Sequence, residues 1–297
     1  MRLGIDLGGT KIEIIALDGG GQTLLTQRIS TPQGDYPATL QAIVALVMQA
    51  ETNLGQQGSV GIGTPGALSK ASGLLKNSNS VALNGKPIQQ DLEAMLDRPV
   101  RIANDANCFA LSEAVDGAAA GRGVVFGVIL GTGVGGGIVV NQHLLNGPNA
   151  ITGEWGHNPL PWPASFELPG FQCYCGKWGC IETWLCGPGM SRAHECIAGE
   201  KLDAQSIVAR AAAGDLACET TLERYEDRLA RSIAHVINIL DPDVIVLGGG
   251  MSNIDRLYEN VLRLWGQYVF SDRVDTRLVR NRHGDSSGVR GAAWLWE

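Results

Sequence analysis

Hydrophobic and polar positions change their spacing along the chain, and the pattern predicts a mixture of strands and helices. Short β-branched runs at 2–6, 12–17 and 24–29 predict strands. The segment 36–54 has apolar residues at helical spacing and predicts a helix. Further strands are predicted at 59–63, 100–103, 124–130, 138–141 and 243–247, and further helices at 106–115, 217–240, 253–266 and 285–296. The sequence therefore predicts an α/β protein.

The length of 297 residues favours two domains over one ordinary core. We expect one lobe from 1–116 plus 285–297 and a second lobe from 117–284. The strings at 5–10 and 129–133 are similar, a weak internal repeat that fits a duplicated domain. The last helix has Asp285, Ser286 or Ser287 as its candidate N-cap.

Charge and hydropathy exclude some partners. The net charge is -7 and no stripe of Lys and Arg is present, which argues against nucleic-acid binding. The sequence has neither a signal-peptide pattern nor an apolar run near the roughly 20 residues needed to span a bilayer. We therefore expect a cytoplasmic protein without membrane contact, and we expect it to form a homodimer.

Glycine is enriched, with 40 residues, roughly twice the usual share. Three glycine-rich turns, at 7–11, 131–137 and 248–250, follow apolar strands, and such turns can point backbone N–H groups at phosphate oxygens. A tight hairpin turn explains any one of them, but three are harder to explain in this way. Beside the first turn, Asp6 can hold Mg²⁺ or its waters and Thr10 can donate to a phosphate.

Two common nucleotide motifs do not fit these turns. None has the Gly-Lys-Ser/Thr ending of a P-loop. Gly131, Gly133 and Gly136 have the spacing of a dinucleotide fingerprint, but their turn joins two strands rather than a strand and a helix.

Asp105 is the best candidate for acid–base chemistry. It follows a predicted strand between Asn104 and Asn107, where a carboxylate can accept a proton from a hydroxyl while amides orient the partner. The alternative is that Asp105 is only the N-cap of the following helix. The spacing leaves both interpretations open.

A cluster of cysteines lies near one histidine. His157, Cys173, Cys175 and Cys180 form a complete tetrahedral zinc set, which would make the zinc structural. Reduced thiols packed in a loop are the alternative. Glu154 and Glu182 lie next to these residues and could bind vicinal hydroxyls of a sugar. The other cysteines are predicted to be small core residues; they are Cys108, Cys186, Cys196 and Cys218.

Together these motifs resemble the ROK family (bacterial repressors, open reading frames and sugar kinases), which has the hexokinase/actin-like (ribonuclease H-like) two-lobe fold with an interlobe cleft. The resemblance extends from 6–11 to 283–293, and its most specific part is Gly-Glu-Trp-Gly-His at 153–157 with Cys-x-Cys-Gly-x-x-Gly-Cys-x-Glu at 173–182. It implies an ATP-dependent sugar kinase that uses Mg²⁺, with Asp105 as catalytic base.

The resemblance also implies roles for individual residues. The sugar would be held by Gly66, Asn79, Asn104, Asp105, Glu154, His157 and Glu182, and Thr64 replaces the isoleucine that the family often has before Pro65. His157 would contact both zinc and sugar. ATP would be bound by Gly4, Ile5, Asp6, Leu7, Gly8, Gly9, Thr10, Lys11, Gly131, Thr132, Gly133, Val134, Gly135, Gly136, Gly137, Ile138, Gly248, Gly249 and Gly250.

The sugar is expected to be D-fructose, with fructose 6-phosphate as product. The strings at 116–121, 157–162 and 173–177 are most similar to bacterial fructokinases (manno(fructo)kinases) of the family. N-acetylglucosamine kinases are the alternative, since they share the strings at 104–110 and 131–137. A sugar-responsive repressor is disfavoured because Asp6 leaves no room for a preceding helix-turn-helix, and an inactive sugar-binding module is expected to lack Asp105 or a phosphate loop.

Overall fold

The computed structural model describes residues 1–78 and 80–296 and confirms the α/β pattern. The strands are β1 (Arg2–Leu7), β2 (Lys11–Leu17), β3 (Thr23–Ser30), β4 (Ser59–Thr64), β5 (Ala67–Leu68), β6 (Leu75–Lys76), β7 (Val100–Asn104), β8 (Val124–Leu130), β9 (Val134–Val140), β10 (His143–Leu144), β11 (Val244–Gly248) and β12 (Arg277–Arg280). The helices are α1 (Tyr36–Leu54), α2 (Ile88–Leu96), α3 (Asp105–Val115), α4 (Glu182–Leu185), α5 (Gly187–Ala198), α6 (Ala204–Ala212), α7 (Leu216–Leu240), α8 (Leu257–Trp265) and α9 (Ser287–Ala293). No helix among the described residues is long and apolar enough to cross a membrane.

Two five-stranded sheets dominate the fold. The first has the order β3-β2-β1-β4-β7 and the second the order β10-β9-β8-β11-β12. In the first sheet β1, β2 and β3 are antiparallel, whereas β1, β4 and β7 run parallel. Because parallel strands end at the same edge of a sheet, the ends of β1, β4 and β7 place Asp6, the turn after Thr64 and Asp105 along one edge.

Helices pack on both faces of this first sheet. Leu3, Ile5 and Leu7 point into one apolar core, which also contains residues of α1 and α2. The opposite face has Gly4 and Gly61, where an added Cβ would lie 2.1 Å from the Val289 oxygen and 1.9 Å from the Ala292 oxygen. These glycines therefore let α9 lie directly on the sheet.

The chain divides into two compact units. Unit 1 comprises Met1–Gly121, Gly137–Thr152 and Arg282–Glu297, and unit 2 comprises Arg122–Gly136 and Gly153–Asn281. In unit 2, β11 lies parallel between β8 and β12. The lobe boundaries expected from the sequence stay a prediction.

The glycine-rich segment 131–137 differs from its prediction as one long turn. Only 131–133 form the turn, because β9 begins at Val134. An added Cβ at Gly136 would lie 2.8 Å from the Trp155 ring, and one at Gly137 would lie 2.7 Å from the Ala106 oxygen. These two glycines therefore allow close packing of a strand.

Two helix predictions were wrong in their details. The segment predicted to be helical from 253 begins with a short 3₁₀ turn at Gly250–Asn253, and α8 starts only at Leu257. The terminal helix α9 begins at Ser287 rather than Asp285, and Ser286, one of the three candidates, stands at its N-cap position without a side-chain capping hydrogen bond. Ser287 instead donates from Oγ to the buried Glu113 carboxylate at 2.8 Å.

Candidate active site

Asn104 and Asp105 occupy different positions at the start of α3. Asn104 is the N-cap, since its Oδ1 accepts from the Ala106 N–H at 2.9 Å. Its Nδ2 donates to the Gly66 carbonyl at 3.1 Å and so ties the turn after β4 to this helix. Asp105 is the first helical residue, with Oδ1 2.8 Å from the Ala106 nitrogen. The interpretation of Asp105 as the N-cap was therefore wrong.

Asp6 lies beside two other carboxylates within unit 1. Burial, then the carboxylates of Asp105 and Glu13, raise the pKa of Asp6 to about 6, against the lowering effects of Lys11 and Arg28. The influence of Asp105 on Asp6 indicates that the two carboxylates are close enough to interact. In a carboxylate pair of this kind, one group can bind a cation while the other accepts a proton.

The turn after β4 requires glycine at position 66. Gly66 has a φ of 85°, and an added Cβ would lie 2.4 Å from the Lys76 oxygen. The turn is held on its other side by Asn104, as described above. Asn79, the other sugar-binding residue predicted nearby, lies outside the described residues.

The first glycine turn, between β1 and β2, is a closed hairpin. The Gly8 N–H donates to the Lys11 carbonyl at 2.9 Å, and Thr31 Oγ1 donates to the Gly8 carbonyl at 2.8 Å. These bonds fix the backbone of the segment predicted to bind phosphate.

The second and third glycine turns meet in unit 2. Gly131 and Thr132 line a cavity of about 1290 Å³ together with Gly250. The Gly187 N–H donates to the Gly131 carbonyl at 2.8 Å and joins the start of α5 to the turn. The cavity is also lined by residues that the sequence analysis missed, including Pro188, Lys201, Gln205 and Asn253. The Gly-Pro-Gly string at 187–189 was the one available signal.

Glu182 contacts the second glycine turn directly. Its Oε2 accepts from the Val134 N–H at 3.0 Å, and an added Cβ at Gly133 would lie 2.9 Å from the same oxygen. Nearby, Trp155 Nε1 donates to the Gly135 carbonyl at 3.1 Å and fixes the residue that follows Glu154. Glu182 and the tryptophan that follows Glu154 are thus attached to the segment predicted to bind phosphate.

The cysteine cluster has the geometry of a metal site. The candidate ligand atoms of His157, Cys173, Cys175 and Cys180 all lie within 4.8 Å of one another. Cys173 Sγ lies 3.6 Å from His157 Nδ1, and Cys175 Sγ lies 3.6 Å from Cys180 Sγ. Zinc–sulfur bonds of about 2.3 Å in a tetrahedron would separate two sulfurs by about 3.8 Å. The residues therefore fit zinc in donor type and in spacing.

The second ring nitrogen of His157 has a different partner. His157 Nε2 lies 3.0 Å from the hydroxyl oxygen of Tyr174. The predicted contact of His157 with the sugar stays a prediction. Among the remaining cysteines, Cys196 is exposed rather than buried as expected, whereas Cys108, Cys186 and Cys218 are buried.

Comparison with known proteins agrees with this architecture. The ROK family model matches residues 2–297. The chain is 42% identical over 299 residues to an N-acetyl-D-glucosamine kinase of Escherichia coli O6:H1, covering 99% of each chain, and 41% identical to an N-acetyl-D-glucosamine kinase of Photobacterium profundum with the same coverage. The ROK hexokinase of Thermus thermophilus superposes with a TM-score of 0.88 at 32% identity, covering 99% of this chain and 96% of that one. A ROK glucokinase of Streptomyces griseus, solved with glucose and AMPPNP, gives a TM-score of 0.77 at 25% identity and covers 99% and 98%.

Fold and site thus define an α/β protein of the hexokinase-like class, as predicted. The chain belongs to the ROK family. The relatives described above are all sugar kinases by name, and those with about 42% identity are named as N-acetylglucosamine kinases. The particular resemblance to fructokinases stays a prediction.

Proposed function

We propose that this chain transfers the γ-phosphoryl group of ATP to a hydroxyl of a hexose. The observation that carries the proposal is the placement of Asp105 as the first residue of α3, at the same sheet edge as Asp6. Asp105 takes the proton of the attacking hydroxyl, the hydroxyl oxygen bonds to the γ-phosphorus, and the bond to the β,γ-bridging oxygen breaks to release ADP. Asn104 holds both the helix start and the Gly66 carbonyl in place.

Two metal ions belong to this proposal. Asp6 would hold Mg²⁺ or its waters, and that ion would neutralise charge on the ATP phosphates. His157, Cys173, Cys175 and Cys180 would hold a structural zinc, since four protein ligands complete its coordination. Bound to these four residues, a zinc ion would stabilise the loop that leads to Glu182.

Different observations support two acceptor sugars. N-acetylglucosamine is the first candidate, because the relatives with about 42% identity over the whole chain are named for it. Fructose is the second, because the strings at 157–162 and 173–177 resemble fructokinases and lie beside the two glutamates proposed to bind sugar. Acceptor choice depends on residues of the site rather than on the fold.

Initial rates with ATP and a panel of hexoses test the proposal. We expect kcat/KM for N-acetylglucosamine to exceed that for fructose, glucose and N-acetylmannosamine by tenfold or more, about 1.4 kcal/mol of transition-state preference. A tenfold advantage for fructose would make the chain a fructokinase instead. Absence of turnover with every hexose would contradict the kinase proposal itself.

A further inference from the structure

A cavity of about 540 Å³ lies within unit 1, beside the last strand of the first sheet. Its walls include residues of β5, β7, α3 and β10, together with residues that follow α9. Small-molecule sites in proteins usually have volumes of about 300–1,000 Å³. The cavity therefore has the size of a binding site for a small molecule.

The charge of the cavity lining is one-sided. Lys70, Arg101 and His143 line the cavity, and none of the described lining residues is acidic. The whole chain, by contrast, has a net charge of -7. An anion in the cavity would thus meet the permanent positive charges of Lys70 and Arg101 and no carboxylate of the described lining.

Arg101 is held in place at the cavity wall. Its Nη1 donates to the Leu295 carbonyl, and its guanidinium carbon lies 4.2 Å from the centroid of a Trp296 ring. A guanidinium has five N–H donors, so the bond to Leu295 leaves further donors for an anion. Because the group is already oriented, little conformational entropy is lost when a phosphate binds to it.

A buried acceptor lies on the α3 side of the cavity. Asn107 lines the cavity, and its buried Oδ1 has no hydrogen-bond partner among the described residues. A buried carbonyl oxygen without a donor costs free energy, which a ligand hydroxyl would recover. Gln89, which also lines the cavity, donates from Nε2 to the Val100 carbonyl at 2.9 Å and to the Glu93 carboxylate at 3.2 Å, so its carbonyl oxygen is left to accept. A ligand that matches both features has an anionic group and hydroxyl donors.

We propose that this cavity binds a hexose phosphate, with the phosphate group at Lys70 and Arg101 and a sugar hydroxyl donating to Asn107 Oδ1. A hexose phosphate combines a dianion with several hydroxyl donors. The choice of this ligand rests on the proposed function, which forms a hexose phosphate as its product, whereas the charge and size of the cavity do not depend on it.

The cavity differs from the predicted acceptor site. Glu154, His157 and Glu182 belong to unit 2 and are not among its lining residues. Asn104 does line the cavity, and it caps the helix that begins with Asp105. A hexose phosphate bound here would therefore contact the residue next to the proposed base.

Calorimetric titration with fructose 6-phosphate or N-acetylglucosamine 6-phosphate, in the presence of saturating free hexose, tests the proposal. The free hexose occupies the proposed acceptor site, so the remaining binding reports on the cavity. Lys70→Gln and Arg101→Gln should each raise the Kd for the hexose phosphate about tenfold or more, the usual effect of losing a hydrogen bond to a charged group. Arg273→Gln is the matched control, because it removes one positive charge at an exposed arginine of unit 2 and should leave this Kd unchanged. Inorganic phosphate should bind at least about tenfold more weakly than the hexose phosphate.

The variants also separate this inference from the proposed function. Lys70 is exposed, so Lys70→Gln keeps the test valid even where Arg101→Gln, which loses its bond to Leu295, fails to fold. An unchanged Kd in Lys70→Gln, or inorganic phosphate that binds as tightly as the hexose phosphate, would overturn the inference. Wild-type protein that phosphorylates a hexose but binds no hexose phosphate under these conditions would overturn it and leave the proposed function intact. Hexose phosphate binding that is weakened in both variants, in a protein without turnover, would support the site and contradict the proposed function alone.

Discussion

Asp6 and Glu13 are register partners in the β1–β2 hairpin, so their carboxylates lie on the same face of the sheet. Glu13 is 3% exposed and is paired with Arg28, whose Nε lies 3.0 Å from its Oε2. Asp6 has its carboxylate beside this pair and close to Asp105, and its pKa is raised to about 6. The sheet edge therefore concentrates negative charge where a cation is expected.

This raised pKa predicts that Asp6 lowers the stability of the free protein at neutral pH. The usual aspartate value is 3.8, so between about pH 4 and pH 6 the folded state keeps a proton that the unfolded state releases. Protonated Asp6 stabilises the folded state below this pH range, and that stabilisation is lost as the pH rises from about 4 to 6. Asp6→Asn should raise the free energy of unfolding at pH 7.5 by roughly 1–3 kcal/mol, and by less at pH 4.5. Urea unfolding of both proteins at both pH values measures this gain in the free energy of unfolding. An equal gain at the two pH values would contradict the raised pKa of Asp6.

The second prediction concerns Asp105 as the general base. Asp105→Asn keeps the shape of the side chain but cannot take a proton, so kcat should fall roughly 10²- to 10⁴-fold. The Kd for the sugar should change much less, because an amide can still pair with a hydroxyl. Rapid kinetics and calorimetry on the same preparation measure both quantities.

The neighbouring cap supplies the control for that experiment. Asn104→Ala loses the cap of α3 and the bond to Gly66, and should cost about 1 kcal/mol of stability. Asp105→Asn should leave the thermal midpoint near its wild-type value, since the cap belongs to Asn104. A variant at position 105 that keeps more than about a tenth of the wild-type kcat would remove Asp105 from the mechanism.

The third prediction concerns the metal site. Purified protein should contain one zinc per chain, and Cys175→Ser should lose the zinc together with most of the activity, because structural zinc contributes on the order of 10 kcal/mol to local folding. Cys196→Ser changes an exposed cysteine outside the cluster and should keep both. Elemental analysis of the wild-type protein and the two variants measures the zinc content of each. A fully active protein without metal would exclude the zinc site.

The fourth prediction uses two adjacent glycines at the end of β11. Gly249 has φ 78° and ψ 172°, and an added Cβ would lie 2.5 Å from the Leu130 oxygen. Gly249→Ala should therefore cost about 2–4 kcal/mol of unfolding free energy. At Gly250 the added Cβ meets no described atom within 4 Å beyond the neighbouring residues of its own turn. Gly250→Ala should therefore change the free energy of unfolding by less than about 0.5 kcal/mol. Similar unfolding midpoints for the two variants would argue against this backbone geometry.

Periodic segments were the most predictable part of the fold. The bounds of α1 and β8 match their predictions, because long apolar repeats leave little choice of structure. The glycines at 136 and 137 were assigned to a turn because composition does not distinguish a turn from a close approach. Their partners, Trp155 and Ala106, are distant in sequence and only the folded chain brings them near.

The candidate site was likewise predictable from the sequence only in part. The Cys-x-Cys string and His157 could be assigned to one cluster from their chemistry, and the structure does bring their ligand atoms together. The contact between the Tyr174 hydroxyl and His157 Nε2 could not be predicted in this way, because it depends on how the folded loop orients the two rings. The cap at Asn104 was missed because two adjacent residues both have side chains that can cap a helix.

Phosphoryl transfer itself is measured most directly by following ATP, ADP, inorganic phosphate and sugar phosphate together in one ³¹P NMR experiment with N-acetylglucosamine or fructose present. The proposed function predicts one sugar phosphate for each ADP formed, with no inorganic phosphate and with a strict requirement for sugar. ADP that appears with inorganic phosphate in place of sugar phosphate, or ATP that persists with both sugars, would contradict it.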